Sequence, residues 1–164
     1  MAEKSIKDFL GPNKNGRFKQ EYYHPKNINK YVGDPEKIIY RSSWEKKFMI
    51  WLDLNDSVLE WSSEPIAIKY FYPQDQKYHK YYPDFYFKIK KQDGSEVKYL
   101  VECKPTQQLQ KPKMPKRRTP KTIKNYNYLM EAFTKNYVKV VAAREWCKQN
   151  GFEFTFITEN SGLF

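Results

Sequence analysis

Asp84, Glu102 and Lys104 combine two carboxylates and an ammonium group within twenty-one positions, a set able to bind a cation and act on a phosphate. Asp84 follows Pro83 at the start of an expected strand over 84–90, and Glu102-Cys103-Lys104 closes the next, over 97–103. Strand side chains alternate, so Glu102 and Lys104 share one face. An antiparallel hairpin returns Glu102 to the neighbourhood of Asp84, and directly opposed positions hold their Cβ atoms about 5 Å apart. Two carboxylates that close repel, unless a divalent cation sits between them or a proton is shared. Such oxygen donors suit Mg²⁺, with Mn²⁺ as a substitute. A lysine beside them can stabilise charge on a phosphoryl group or orient an attacking water. Cys103 lies between the two key side chains and is expected to pack inward, with its backbone carbonyl as a further metal ligand. Glu45 has two readings. It stands three residues after Ser42, so Ser42-x-x-Glu45 is a capping box as well as a candidate catalytic position. His24 and His79 lack partners at ligand spacing and read as surface or structural residues, and Cys103 and Cys147 lack metal-ligand spacing.

The site depends on register. A two-residue turn at Asp93-Gly94 would place Asp84 opposite Cys103 and send Glu102 to the other face. A three-residue loop, Gln92-Asp93-Gly94, with Gly94 left-handed in a bulge, places Asp84 opposite Glu102. An odd-length loop is therefore required, and Gln-Asp-Gly suits one. Upstream, Trp44, Phe48, Trp51 and Leu52 recur at i, i+4, i+7 and i+8 and predict a helix over 43–54, capped by Ser42 and ended by Asn55-Asp56-Ser57. Further strands are expected at 58–61 and 66–72. Helical patterns resume near Thr122 and again over 135–149, Gly151 stops the second, and Phe152, Phe154 and Phe156 open a last strand. This order gives an α/β class, a mixed sheet flanked by helices.

With 164 residues the chain suits one domain, and 30 basic against 19 acidic residues leave a net charge of +11. That balance suits a polyanion, nucleic acid before a membrane surface, since no long basic amphipathic helix is evident. With 18% aromatic residues, disorder throughout is excluded, and no apolar run approaches a membrane span. The start of the chain lacks the apolar stretch of a signal peptide, and two cysteines make no disulfide framework, which predicts a soluble protein of a reducing compartment. Residues 1–35, punctuated by Pro and Gly, form an expected extended arm, with Phe18, Tyr22, Tyr23 and Tyr31 available to pin it to a core. Residues 36–164 form the main domain. Within it, 106–124 is an expected basic loop, with Lys111, Lys113, Lys116, Arg117, Arg118, Lys121 and Lys124 as DNA-backbone contacts, and Arg41 as another. Tyr78, Tyr81 and Tyr82 are candidates to line a groove.

Tyr82-Pro83-Asp84-Phe85 followed by Val101-Glu102-Cys103-Lys104 resembles the PD-(D/E)XK nuclease signature, and Glu45 sits where that superfamily often carries a helix-borne acid. More narrowly, the stretch 31–53, with Arg41-Ser42-Ser43-Trp44-Glu45 its most specific block, resembles the head completion nucleases of T4-like tailed phages. So do Glu60-Trp61-Ser62-Ser63-Glu64 and Glu102-Cys103-Lys104-Pro105. The likeness spans roughly 30–159 and leaves most of the arm outside. It implies a restriction-endonuclease-like core and divalent-metal hydrolysis of phosphodiester bonds to a 5′-phosphate. Asp84 and Glu102 would hold the metal, Glu45 would bind it or orient water, and Lys104 would support the attacking water. It further implies endonuclease action on DNA in completing filled phage heads, in the host cytoplasm or the virion, beside head or portal proteins. A different class is a structural head-completion protein that binds DNA or the portal region with little or no cleavage. A third is the nuclease subunit of a transposase or a structure-selective nuclease, since similar cores serve both.

Overall fold

The computed structural model describes residues 21–162. Phe18 and the first twenty residues of the expected arm lie outside the described residues.

The organising element is a four-stranded mixed sheet. Strand β3 (Val58–Ser63) pairs antiparallel with β6 (Phe85–Lys90), β6 pairs antiparallel with β7 (Glu96–Cys103), and β7 pairs parallel with β8 (Glu153–Ile157). A parallel neighbour requires a long crossover. Here the crossover is α2 (Pro120–Asn150), capped by Thr119 and ended by Gly151 in the left-handed region, φ 71°. The expected strands at 58–61 and 97–103 are present, each slightly longer. The two expected C-terminal helices are one. Nothing between Phe133 and Lys135 interrupts the backbone hydrogen bonds, and neither Gly nor Pro occurs from 121 to 150. Pro120 starts this helix rather than breaking it, because its missing N–H costs nothing at the first position.

The sheet separates two cores. On one face lie Phe48, Met49 and Leu52 of α1 (Ser43–Leu54), packed with Trp61, Phe85, Phe87 and Val101. Each of these α1 side chains, fully buried, contributes about 1.5–3 kcal/mol. On the other face, Leu100 meets Ala143 and Cys147 of α2, together with a separate two-stranded ribbon, β4 (Ile68–Tyr72) and β5 (Lys77–Tyr81). The sequence pattern did not reveal β5: Lys-Tyr-His-Lys-Tyr carries no apolar alternation.

The described part of the arm is tied down. Its strand β1 (Glu21–Tyr22) pairs with β2 (Ile39–Tyr40), and the Val32 N–H donates to the Trp61 carbonyl at 2.8 Å. Tyr23 and Tyr31 both pack their rings on Trp61, whereas Tyr22 faces solvent. Among the described residues, no helix is long and apolar enough to cross a membrane.

Candidate active site

The β6–β7 hairpin has the register the carboxylate pair requires. The Lys91 N–H donates to the Ser95 carbonyl at 2.8 Å, and the Gly94 N–H donates to the Lys91 carbonyl at 2.9 Å. Gln92-Asp93-Gly94 is therefore the three-residue loop, with Gly94 at φ 83°, a conformation that glycine adopts without strain. Lys90 opposes Glu96 and Phe85 opposes Val101, so the next pair along is Asp84 and Glu102.

Each carboxylate is held from its own side. The Cys103 N–H donates to Asp84 Oδ2 at 2.7 Å. The Glu64 N–H holds the Asp84 carbonyl at 2.9 Å, so the strand end cannot fray away. Glu102 is buried; its Oε2 accepts from the Tyr81 hydroxyl at 2.5 Å and its Oε1 from Lys104 Nζ. Burial, and then the charge of Glu102, push the Asp84 carboxyl up to about 7, although the Cys103 N–H pulls the other way. A proton or a cation at this position therefore relieves a real repulsion. Burial and the Glu102 charge keep the Tyr81 hydroxyl protonated, so it remains a donor. Burial, and then the Asp84 charge, push the Cys103 thiol up and favour its neutral form.

Glu45 is engaged as a cap. The Glu45 N–H donates to Ser42 Oγ at 3.1 Å, Ser42 Oγ donates to Glu45 Oε1 at 2.8 Å, and the Arg41 N–H donates to Oε2 at 2.9 Å. Its charge still reaches Asp84 and raises that carboxyl further. Among the described residues, no group of three or more His, Cys, Asp or Glu side chains gathers tightly enough to hold a metal ion by itself.

Beside Glu102 and Lys104 a cavity of roughly 190 Å³ opens between the end of β7 and α2. From α2 it receives Asn136, Tyr137, Lys139 and Arg144. Lys139 Nζ lies 5.5 Å from the centre of the Tyr81 ring and forms no ion pair among the described residues. Burial, then the positive charge of Lys104, lower its pKa. The cavity wall thus presents two ammonium groups, Lys104 and Lys139, beside the Glu102 carboxylate, an arrangement suited to a bound phosphate diester. Lys139 was missed in the sequence. The available signal was the pair Lys135 and Lys139, one turn apart, but only the packing of α2 brings it to Glu102.

Of the proposed DNA contacts, Lys111, Lys113, Lys116, Arg117 and Arg118 are exposed on the segment before α2. Lys121 and Lys124 are exposed too, but ride on the first turns of α2, so the basic loop is shorter than 106–124. Its start is also regular, a 3-10 helix at Thr106–Leu109. Arg41 is committed to Glu64 by an ion pair of 2.6 Å. The inward side of α2 is covered by the sheet and the ribbon.

A family model described as TnsA-like endonuclease N terminal matches residues 55–159, which include Asp84, Glu102, Lys104 and Lys139 but not Glu45. The head completion nuclease of Enterobacteria phage T4 is 37% identical over 136 residues, 83% of this chain and 88% of that protein. No solved structure matches.

Proposed function

The chain belongs to the TnsA-like endonuclease family and to the T4-type head completion nucleases, and from that premise we propose that it is a divalent-cation-dependent DNA endonuclease acting in the completion of DNA-filled phage heads. Its α/β fold is restriction-endonuclease-like. The observation that carries the proposal is the Asp84–Glu102 pair, opposed across β6 and β7 and flanked by Lys104 and Lys139.

The donor set fits Mg²⁺ or Mn²⁺. Two carboxylates and the Cys103 backbone carbonyl are hard oxygen donors, and the raised Asp84 carboxyl marks a site that positive charge stabilises. A bound cation would supply Lewis-acid polarisation of the phosphodiester. The chain's own residues do the rest. The Cys103 N–H and the Tyr81 hydroxyl orient the two carboxylates. Lys104, paired with Glu102, orients the attacking water, and Lys139 neutralises charge growing on the phosphate oxygens. In-line attack then forms a new P–O bond and breaks the bond to the 3′ oxygen, leaving a 5′-phosphate and a 3′-hydroxyl. Glu45 fixes the start of α1 and adds its negative field to attract the cation. The exposed basic residues from Lys111 to Lys124 hold the DNA backbone, so affinity falls steeply with salt. The place of action is the infected host's cytoplasm during assembly, beside head or portal proteins.

A second reading is a head-completion protein that binds DNA without cutting it. One observation favours it: no three-carboxylate cluster is assembled among the described residues. Incubating linear, nicked and branched DNA with the full chain separates the two. Cleavage with Mg²⁺ or Mn²⁺ and none with EDTA is the expected result, with Lys104→Ala slower by about 100-fold, the scale of losing one electrostatic stabiliser. DNA that is bound but intact with every cation would establish the second reading.

A further inference from the structure

The β4–β5 ribbon stands outside the main sheet and has two unlike faces. Ile68, Tyr70, Tyr72 and Tyr81 point inward and are buried with α2. Lys69, Phe71, Tyr78 and Lys80 point outward and are exposed, Phe71 at 45% and Tyr78 at 66%. The register sets Lys69 directly opposite Lys80 and Phe71 directly opposite Tyr78. Opposed like charges destabilise an antiparallel pair, so this face is poorly designed for folding alone. The two rings meet edge to face with centroids 5.3 Å apart, and Lys69 Nζ lies 4.4 Å from the Tyr78 centroid. Neither strand contains an acidic residue, and Asp75 in the connecting turn is engaged by His79 at 2.8 Å.

Aromatic rings flanked by lysines make a surface on which bases stack while phosphates are neutralised. Duplex DNA keeps its base faces internal and can use only the lysines. We propose that the outward face of β4–β5 is a binding platform for single-stranded DNA, with bases on Phe71 and Tyr78 and phosphates on Lys69 and Lys80. This rests on the nuclease reading above and deepens it by naming the substrate class. Along β5, Tyr78 stands three positions before Tyr81, whose hydroxyl holds Glu102. Those three steps span about 10 Å of strand, well inside one DNA turn of about 34 Å. The favoured substrate therefore carries unpaired bases within a turn of the cut, as at a frayed end, a flap or a branch.

Fluorescence anisotropy in EDTA, where cleavage is silent, tests this with the full chain, a labelled 20-nucleotide mixed-sequence strand and the corresponding duplex. Phe71→Ala with Tyr78→Ala should weaken single-strand binding by about 10-fold or more and duplex binding by less than about 2-fold. Phe71→Tyr with Tyr78→Phe keeps both rings and should bind as the unaltered chain does. Lys69→Ala with Lys80→Ala should flatten the single-strand salt slope by about 1.4, at roughly 0.7 per phosphate. If the double alanine variant melts early, Phe71→Leu with Tyr78→Leu retains apolar bulk without stacking and is read in its place. Equal losses on both DNAs, or no loss on the single strand, overturn the platform. Ring-dependent binding by a chain that cuts nothing with any cation overturns the nuclease reading and leaves the platform standing. Cation-dependent cleavage with ring-independent binding does the reverse.

Discussion

Two acidic sites lie on different sides of this molecule, and they are balanced in opposite ways. Asp53, at the inner end of α1, is fully buried, yet its oxygens are surrounded by donors. Oδ2 accepts from the Lys26 N–H at 2.7 Å and the Tyr23 hydroxyl at 3.3 Å, and Oδ1 accepts from the Asn27 N–H at 2.9 Å. The Asn27 side chain and Lys30 Nζ also reach the Asp53 carbonyl. A carboxylate served by donors belongs to the scaffold, and here it clasps residues 23–30 onto α1. Asp84 receives one backbone N–H and faces a second carboxylate. That arrangement costs stability, and such a cost points to a site.

The comparison breaks most sharply on Asp84→Asn. Cleavage should fall by about 1,000-fold or more, roughly 4 kcal/mol in transition-state stabilisation. Melting in EDTA should hold or rise, because the substitution removes repulsion. Parallel kinetics and calorimetry read both effects; retained cleavage would dissolve the distinction. Asp53→Ala should do the opposite. Orphaning the Lys26 and Asn27 amides costs about 3 kcal/mol, or roughly 6–12 °C in Tm for a chain of this size, with cleavage at low temperature nearly unchanged.

A smaller effect separates the sites by pH. The Asp84 carboxyl is raised from 3.8 to about 7 in the folded chain, so the native state binds this proton more tightly than the unfolded state does. The contribution is therefore fully present below about pH 4 and is lost as pH rises towards 7. Without metal, Asp84→Asn should gain on the unaltered chain across that window, by on the order of 1–2 kcal/mol, since the proton is shared with the Glu102 site. Saturating Mg²⁺ should abolish the trend. Thermal melts at four pH values, with and without the cation, measure it. Glu45→Gln is expected to give the smallest change, under about 1 kcal/mol in stability, because the amide oxygen can still accept from the Arg41 N–H, its NH2 can donate to Ser42 Oγ, and the Ser42 cap on the Glu45 N–H is untouched. A larger loss of cleavage than of stability in this variant would assign its charge to the active site as well.

Much of the site was legible because local chemistry sets it. The stripe of Phe48 and Leu52 and the Ser42 cap specified α1, and Gln92-Asp93-Gly94 specified the hairpin loop. Other elements were hidden for identifiable reasons. β5 is polar along most of its length and pairs only because Tyr81 and its β4 partners find α2. The continuity of α2 was obscured by reading two apolar patches as two helices, although no breaker separates them. Asp53 carries no local signal of its role, because its donors come from residues 23–27, far away in sequence.

Which carboxylates meet follows from local sequence. Strand side chains alternate with a period of two, an odd loop closed by glycine sets the register, and both signals act within about twenty residues. Tertiary structure alone decided how those carboxylates behave. Tyr81 meets Glu102, and Lys139 shares a cavity with it, only when the ribbon and α2 close over one face of the sheet, and the desolvation that lifts the Asp84 carboxyl likewise arises only in the folded chain. Burial is a property of surfaces brought together from distant parts of the chain, so no local pattern could carry it.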